Sequence, residues 1–434
     1  MCGIVGYIGN QKASPILLAG LSKLEYRGYD SAGIATIEKN EIKFAKDKGR
    51  VDNLASLDET KSLEGSIGIA HTRWATHGIP SKINSHPHLD EKHHFAVVHI
   101  GIIENYTELR SFLEKEGYNF ISDTDTEVVP NLIDYFYSID SSNDSLKLLR
   151  AVKKTCEKLI GSFSLEIISI YMPNNMIVVR KDSPLVIGKG NNENYIASDI
   201  PAILSYTKDF YLLENFEYVL LSRDSITFYD KDLNHLDKKT TTITWDAMAA
   251  DKSGFDDYML KEMMEQPKAV RETIGSRLDN HNCAFNELGF TKEYLNSLNQ
   301  IYIIACGTAM HAGLAVKNTI EHLCQIHVAV ELASEFRYRD PIVNEKTLCI
   351  FISQSGETAD TIAALKLSKE HKARTLAITN VLGSSISREA DYCIYTHAGP
   401  EIAVASTKAY TSQLSLLTLV AIYFAETWEL ADSI

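Results

Sequence analysis

The sequence MCGIVGYI at residues 1–8 decides how the first half of the chain folds. Its apolar residues predict a buried first strand, and its two glycines allow neighbouring backbone to approach closely. Removal of Met1 would leave Cys2 with a free thiol and a free α-amine on one carbon. An α-amine titrates near neutrality, so it can accept the proton of a thiol that is mostly protonated at pH 7. The stretch therefore indicates an N-terminal nucleophile or, alternatively, a frayed terminus with an incidental cysteine.

The composition limits the class of protein. A chain of 434 residues predicts two or three domains. The formal net charge of −14 argues against nucleic-acid and membrane-surface partners, although a local site for a small anion stays compatible with it. The seven cysteines are an odd number and lie mostly in apolar runs, which indicates reduced, buried thiols. Because we find no basic, apolar leader and no apolar run long enough to span a bilayer, we expect a cytoplasmic protein.

Short β-like runs separated by turn signals recur through the first half of the chain. They predict an antiparallel, sheet-rich domain with a few helices, arranged as a layered sandwich. The predicted helices are Pro15–Tyr26 and Val128–Phe136, and the predicted strands are residues 4–8, Ile34–Ile37, Ser66–Ala70, Phe95–Ile103, Phe163–Tyr171, Met176–Arg180, Leu185–Gly188, Tyr195–Ser198, Tyr218–Leu221 and Ile226–Tyr229.

Polar side chains follow two of these elements. Arg27 and Asp30, in a glycine-punctuated turn, form either a surface ion pair or part of a pocket. The segment His71–Gly78 follows a predicted strand, where small-molecule sites commonly lie. Arg73 can bind a carboxylate through two parallel hydrogen bonds. Trp74 beside it could close a loop over a ligand.

Two further segments have a functional and a structural interpretation. Seven of the 14 histidines lie between residues 71 and 99, but no recognised metal-ligand spacing occurs there, so we predict no metal site. Asp125, in a Ser/Thr-rich acidic segment before an apolar run, is either part of a helix cap or a pocket carboxylate facing a substrate ammonium. In the second case Arg73 and Asp125 would bind the two ends of an amino acid.

The second half of the chain has a different pattern. A charged helix, Tyr258–Arg277 with a break at Pro267, predicts a linker. After it, strands alternate with glycine turns and helices, which predicts a parallel sheet covered by helices on both faces. The predicted strands are Ile301–Cys306, Val328–Leu332, Thr347–Ile352, Arg374–Thr379 and Tyr392–Tyr395, and the predicted helices are Met310–Cys324, Ala359–His371 and Ala403–Glu426. Hydroxyl side chains lie where the second of these helices begins, at Ser353, Ser355 and Thr358. They either bind a phosphate or only cap the helix.

These motifs resemble two known modules. Cys2–Gly6, Tyr26–Gly33, His71–Gly78 and Thr124–Thr126 resemble the glutamine amidotransferases with an N-terminal cysteine nucleophile. Residues 305–308, 353–358 and 401–408 are similar to a sugar-phosphate isomerase (SIS) domain. The two modules together resemble the glutamine–fructose-6-phosphate aminotransferases, that is, the glucosamine-6-phosphate synthase family. The resemblance implies an α/β/β/α layered N-terminal-nucleophile domain at residues 2–240, a linker with a helix at 241–286, and a doubly wound SIS domain at 287–434.

The resemblance also implies a mechanism. Cys2 would attack the glutamine amide with its own α-amine as base, and the ammonia released would react with fructose 6-phosphate. No metal and no organic cofactor is implied, and a homodimer through the SIS domains is expected. The implied glutamine-binding residues are Arg27, Arg73, Trp74, Thr76, His77 and Asp125, with Gly101 donating to the oxyanion, and the implied sugar-phosphate residues are Thr308, Ser353, Gln354, Ser355, Thr358, Val404 and Ser406.

Three departures from the family pattern concern activity. Ile100 replaces the Asn whose side chain completes the oxyanion hole, and the loss of one such donor costs about 10²–10³ in rate. Ala309 replaces a Ser, which removes a hydroxyl worth about 1 kcal/mol to the sugar phosphate. The second SIS domain that the family pattern includes is not in this sequence, which favours a fragment over a naturally short relative.

Three functions therefore stay open at this stage. The first is the aminotransferase itself. The second is a catalytically impaired protein that senses glutamine or a sugar phosphate, which Ile100 favours. The third is a hydrolase that uses the N-terminal cysteine on another amide, which the complete set of glutamine-binding residues disfavours.

Overall fold

The structure is a computed structural model that describes residues 2–243, 254–275, 277–279, 282–285 and 287–428. The chain divides into two compact units on either side of the segment 244–253. Residue 286, the last residue of the predicted linker 241–286, and residues 244–253 within it lie outside the described ranges, so the domain limits stay a prediction. No helix among the described residues is long and apolar enough to cross a membrane.

The first unit contains two antiparallel sheets. Its helices are α1 (Ala13–Leu24), α2 (Val51–Ser56), α3 (Asp58–Lys61), α4 (Tyr106–Lys115), α5 (Val128–Ile139) and α6 (Lys147–Lys158). Its strands are β1 (Gly3–Ile8), β2 (Ser31–Glu38), β3 (Glu41–Lys48), β4 (Ile67–Arg73), β5 (His88–Leu89), β6 (Phe95–Ile103), β7 (Gly161–Ser169), β8 (Met176–Lys181), β9 (Val186–Lys189), β10 (Asn194–Ala197), β11 (Asp209–Leu212), β12 (Tyr218–Leu221), β13 (Ile226–Tyr229), β14 (His235–Leu236) and β15 (Thr241–Thr242).

The strand order explains the layers. The first sheet runs β15-β11-β9-β10-β1-β4-β2-β3 and the second β14-β13-β12-β8-β7-β6-β5. Successive side chains of a strand point to opposite faces: Val5 of β1 packs with Leu17 of α1, whereas Ile4 packs with Val98 of the second sheet. The outer face of the second sheet packs against α4, α5 and α6. The predicted α/β/β/α sandwich is confirmed.

The second unit is a doubly wound α/β fold. Its helices are α7 (Tyr258–Gly275), α8 (Lys292–Ser297), α9 (Gly307–Cys324), α10 (Ala333–Tyr338), α11 (Ala359–Glu370), α12 (Ser385–Glu389) and α13 (Lys408–Thr427). Its strands are β16 (Leu278–Asp279), β17 (Asn282–Cys283), β18 (Gln300–Ala305), β19 (His327–Leu332), β20 (Thr347–Ser353), β21 (Arg374–Thr379) and β22 (Tyr392–Tyr395). The last five strands form a parallel sheet in the order β19-β18-β20-β21-β22. Apolar clusters cover both faces of this sheet, as predicted.

Helix α7 continues through Pro267, so the predicted break there is wrong. A proline at this position has no amide hydrogen for the carbonyl of Met263. The Gln266 side chain supplies the missing donor, since its Nε2 lies 3.0 Å from the Met263 oxygen. One substituted hydrogen bond is enough to preserve the helix.

Glu166 is a buried carboxyl group between the two sheets of the first unit. It is fully buried, and neither carboxyl oxygen has a partner among the described residues. Its Oε2 lies 2.7 Å from the point where a Cβ on Gly6 would be, so only a glycine fits opposite it. Burial raises the pKa of Glu166 well above its ordinary value.

We expect Glu166→Met to stabilise the first unit by about 1–3 kcal/mol, the cost of an unsatisfied buried polar group. Because the folded state holds a proton that the unfolded state releases above a pKa near ~4.3, the gain should grow as the pH rises from 5 to 7. Urea unfolding at both pH values measures it. Glu166→Gln is the control, since it cannot ionise but is still polar. A destabilised Glu166→Met protein would show that the carboxyl group has a stabilising partner.

Candidate functional site

Cys2 lies immediately before β1, at the edge where β1 pairs with β4. Its side chain is half-buried, and Sγ is 3.4 Å from the amide nitrogen of Trp74 and 3.6 Å from the Trp74 oxygen. Burial raises the pKa of the Cys2 thiol, and the hydrogen bond from Trp74 and the nearby Arg73 charge only partly offset it. The thiol therefore needs a base before it can act as a nucleophile.

Arg73, the last residue of β4, is a cation whose charge lowers the pKa of this thiol. Its side chain is buried, and Nη2 donates to the carbonyl oxygens of His77 and Gly78, the latter at 3.1 Å. Its Nη1 has no partner among the described residues. A buried guanidinium with an unused N–H group is suited to bind a carboxylate.

Asp125 is buried at the start of the segment that leads into α5. Its Oδ2 accepts a hydrogen bond from the amide of Ile103 at 2.8 Å, and its Oδ1 lies 3.4 Å from the Thr126 hydroxyl. The charge of Asp125 raises the pKa of both Cys2 and Arg73. A carboxylate and a guanidinium at one site could bind the ammonium and carboxylate of an amino acid.

The strand β6 brings Ile100 and Gly101 towards the same site. Gly101 has φ +132°, and a Cβ there would lie 2.0 Å from the Ser162 oxygen, so no side chain fits. Ile100 is 5% exposed and packs in the apolar cluster between the sheets, which Cys2 also contacts. An apolar side chain thus lies directly before Gly101 on β6.

Three other predicted glutamine-site residues lie on the loop after β4. Trp74 is 43% exposed and packs edge-on against Tyr29 with ring centroids 5.4 Å apart. Thr76 is exposed, and its hydroxyl lies 3.4 Å from Nδ1 of His77, whose ring packs against Tyr106. None of these three side chains is buried, and the movement of this loop over a ligand stays a prediction.

Arg27 lies in a different network. It is buried, and its Nη2 forms an ion pair with Asp199 at 2.7 Å while Nε donates to the Tyr26 hydroxyl at 3.1 Å. Of the two interpretations of the turn, the surface ion pair of Arg27 with Asp30 is therefore wrong. Asp30 instead accepts from the Ala75 amide at 2.9 Å and so supports the loop after β4.

A cluster of four buried histidines lies behind the Asp125 segment. The rings of His71 and His86 stack at 3.9 Å, and those of His86 and His88 meet edge-on at 4.8 Å. Nδ1 of His99 is 2.8 Å from the Thr126 hydroxyl. Burial lowers the pKa of all four imidazoles, which are therefore neutral at pH 7. The sequence showed the density of histidines but not their stacking.

A separate group of side chains has metal-ligand geometry. Among the described residues, ligand atoms of Asp90, His94 and Asp134 lie within 4.8 Å of one another. The Lys92 ammonium is 3.3 Å from Oδ2 of Asp134, and the Tyr118 hydroxyl donates to the same oxygen at 2.9 Å. Since a lysine cation already balances this carboxylate, the group does not indicate a metal site.

In the second unit, the predicted phosphate residues meet at the carboxyl ends of β18 and β20. These strands are neighbours, so Thr308 at the start of α9 and Ser353–Thr358 before α11 share one edge of the sheet. The hydroxyls of Ser353 and Thr358 are 3.0 Å apart, and Ser355 Oγ accepts from the Glu357 amide at 3.2 Å. Ligands of open α/β sheets bind at such an edge.

Gly356 allows the tight turn of this segment. It has φ +68°, and a Cβ there would lie 2.1 Å from the Ser384 Oγ, so glycine is required. Gln354 directs its backbone oxygen to the Asn380 amide at 3.1 Å. Ala309, near the start of α9, is 8% exposed and packs in the core.

The predicted helix Ala403–Glu426 begins too early. Residues 403–407 form a loop, and α13 starts at Lys408 because Glu401 accepts from the amides of Thr407 and Ala409 at 2.8 and 3.0 Å. Ser406 donates its hydroxyl to Glu401 at 2.8 Å, and Val404 is 74% exposed at the loop tip. Both predicted ligands thus lie on a loop.

Known families match both units. A glutamine amidotransferase domain model matches residues 71–205, and a SIS domain model matches residues 294–423. The glutamine–fructose-6-phosphate aminotransferase [isomerizing] of Clostridium perfringens is 53% identical over 427 residues, which cover 98% of this chain and 69% of that protein. The chain belongs to the glutamine–fructose-6-phosphate aminotransferase family.

Other members of the family give a similar result. The aminotransferase of Clostridium tetani is 54% identical over 427 residues, with the same coverage of 98% and 69%. A solved C-terminal domain of glucosamine-fructose-6-phosphate aminotransferase from Francisella tularensis aligns with 41% of this chain and 51% of that chain, at 42% identity and a TM-score of 0.40. The curated relatives of this family are enzymes.

Proposed function

We propose that this chain hydrolyses glutamine at Cys2 and transfers the ammonia to fructose 6-phosphate, giving glutamate and glucosamine 6-phosphate, the first step of amino-sugar synthesis. The observation that supports this most is the contact of Cys2 Sγ with the Trp74 amide at 3.4 Å, directly after Arg73 at the end of β4, with the Asp125 charge acting on both Cys2 and Arg73. Together they offer a nucleophile, a carboxylate-binding cation and an ammonium-binding carboxylate. Membership of the aminotransferase family supports the choice of glutamine.

The proposed steps follow from these groups. Arg73 Nη1 and Asp125 bind the α-carboxylate and α-ammonium of glutamine. The α-amine that Met1 removal would expose on Cys2 takes the thiol proton, and Sγ attacks the side-chain amide carbon. The Gly101 amide donates to the oxyanion, and the C–N bond breaks as the amide nitrogen takes the proton back from the α-ammonium of Cys2 and leaves as ammonia. Water then hydrolyses the γ-glutamyl thioester, which gives glutamate and regenerates the Cys2 thiol. Trp74, Thr76 and His77 close over the substrate, and Arg27 supports the closed loops.

In the second unit we propose that the phosphate of fructose 6-phosphate binds to Ser353, Gln354, Ser355 and Thr358, with Thr308, Val404 and Ser406 alongside. Their hydroxyls and the amides before α11 supply donors without a lysine. No metal or organic cofactor takes part in the proposed reaction. We also propose a homodimer through the SIS domains, which the molar mass in solution tests, and a cytoplasmic location, which the seven free thiols support.

We infer a second candidate function from Ile100, a buried apolar residue at the position where we propose that an oxyanion donor would lie. In this alternative the chain is a catalytically impaired relative that binds glutamine and the sugar phosphate and regulates another process.

Glutamate release, with and without fructose 6-phosphate, separates the two functions. The protein must first be shown by mass spectrometry to begin at Cys2. We expect glutamine hydrolysis above that of a Cys2→Ser variant, with a further rise when fructose 6-phosphate is added. Glutamine binding without any release of glutamate would contradict the enzyme and favour the regulatory relative.

A further inference from the structure

The loop of residues 401–407, which joins β22 to α13 by way of Val404 and Ser406, is held by a helix far away in sequence. Its first amides donate to Glu262 of α7, a residue about 140 positions earlier in the chain. Glu262 is only 2% exposed, so its carboxylate is withdrawn from solvent and committed to this contact.

The contact is made by both carboxylate oxygens. Oε1 accepts from the amides of Ile402 and Ala403, the second at 3.1 Å, and Oε2 is 3.3 Å from the Ala403 amide. Burial raises the pKa of Glu262, while these two amides and Lys408 lower it and Glu401 adds to the rise. A buried carboxylate is costly unless donors bind it, and the amides of Ile402 and Ala403 in turn need an acceptor.

The far end of the loop is held by the same helix. The Lys408 ammonium, with a side chain 3% exposed, forms an ion pair with Glu265 at 2.6 Å. The Thr411 hydroxyl, one turn further along α13, donates to the Gln266 side chain at 2.9 Å. Helix α7 therefore fixes both ends of the loop, while Val404 at its tip stays 74% exposed.

We infer that Glu262 is a positioning residue for sugar-phosphate binding, acting through the 401–407 loop. This rests on the proposed function, in which Val404 and Ser406 lie beside the bound phosphate. With Glu262 in place, the loop is already ordered before the ligand arrives, so binding does not have to pay for that ordering. Without it, the amides of Ile402 and Ala403 lose their acceptor and the loop samples other conformations.

The test compares Glu262→Met with Glu262→Gln in the full chain. Glutamine keeps an Oε1 oxygen that can accept from both amides, whereas methionine keeps the volume but no acceptor. We expect Glu262→Met to weaken fructose 6-phosphate binding about tenfold by calorimetry, and Glu262→Gln to restore most of the affinity. Glu272→Met is the matched control on an exposed part of α7 and should bind like the wild type.

Two further readouts separate positioning from general damage. Backbone hydrogen exchange of the peptide containing residues 401–407 should speed up in Glu262→Met, with no change in β18 or β20. In a Ser406→Ala background, Glu262→Met should cost clearly less affinity than in the wild type, because both act through one loop. A general loss of stability would instead be additive.

The outcomes are distinct for the two proposals. If the wild type binds fructose 6-phosphate and Glu262→Met binds equally well, the positioning role is wrong and the proposed function stands. If Glu262→Met and Glu262→Gln lose affinity equally, or if the Ser406→Ala background leaves the cost unchanged, the positioning role is also wrong. If the wild type binds no fructose 6-phosphate, the proposed sugar-phosphate site is wrong and the inference falls with it.

Discussion

Ile100→Asn should raise the rate of glutamine hydrolysis by about 10²–10³, the usual effect of one oxyanion-hole donor. Ile100 lies beside Gly101 on β6 and packs in the same inter-sheet cluster as Cys2. Under the proposed function, the amide of an Asn at this position would donate to the oxyanion. Since the new donor meets charge that develops in the transition state, kcat should rise while KM changes little. Steady-state glutamate release measures both.

Two controls test the physical reason for this gain. Ile100→Asp has nearly the shape of Asn but no N–H group, and Ile100→Leu keeps the apolar core; neither should gain activity. Because Ile100 is 5% exposed, the Asn variant should also lose about 1–3 kcal/mol of stability, which urea unfolding would show. The assignment of the oxyanion position is wrong if the folded Ile100→Asn protein, correctly processed to begin at Cys2, hydrolyses glutamine no faster than the wild type. It is also wrong if Ile100→Leu gains as much activity as Ile100→Asn.

The buried histidine cluster should make the first unit unstable in mild acid. His71, His86, His88 and His99 have pKa values lowered by burial, with the Arg73 charge adding to the effect on the first three and the Lys46 charge on His88, while the Asp125 charge opposes it at His99. As the pH falls below about 6.5, the histidines bind protons in the unfolded state but not in the folded state. The free energy of unfolding therefore decreases below that pH. Each histidine contributes up to about 1.4 kcal/mol per pH unit.

Buried carboxyl groups act in the opposite direction and must be separated from this effect. The pKa values of Glu166, Asp90 and Glu262 are raised, chiefly by burial, so these groups add stability as the pH falls. We therefore compare the wild type with His86→Gln, monitoring urea unfolding between pH 7.5 and 5. The stability difference between them should shrink by up to about 1.4 kcal/mol per pH unit below ~6.5. A pH-independent difference would show that His86 does not resist protonation.

Short apolar runs separated by turn residues were sufficient to predict most of the strands. In β1, Ile4 and Val5 face different clusters, which is why a short apolar run with glycines forms a central strand. The turn–helix pattern after β18 and β20 likewise predicted the parallel sheet. These features depend on residues that are close together in the sequence, so they can be predicted from the sequence alone.

Features that depend on distant residues could not be predicted in this way. The loop that precedes α13 is held by Glu262, which lies 140 residues away on α7. The Arg27 partner, Asp199, lies 172 positions further along the chain, and the four histidines meet only when β4, β6 and the segment between them pack together. Pro267 predicted a break because the loss of its amide hydrogen can be inferred from the sequence. The hydrogen bond from the Gln266 side chain that replaces this donor could not be inferred in the same way.

The most direct test of the account is to locate the nucleophile. Protein that begins at Cys2 is treated with a diazoketone analogue of glutamine, which alkylates a thiolate held at a glutamine site, and the modified peptide is identified by mass spectrometry. The account predicts one label per chain, on Cys2, that free glutamine prevents and that Arg73→Met strongly slows. A label on another of the seven cysteines, or labelling of Cys2 that glutamine does not slow, would contradict it.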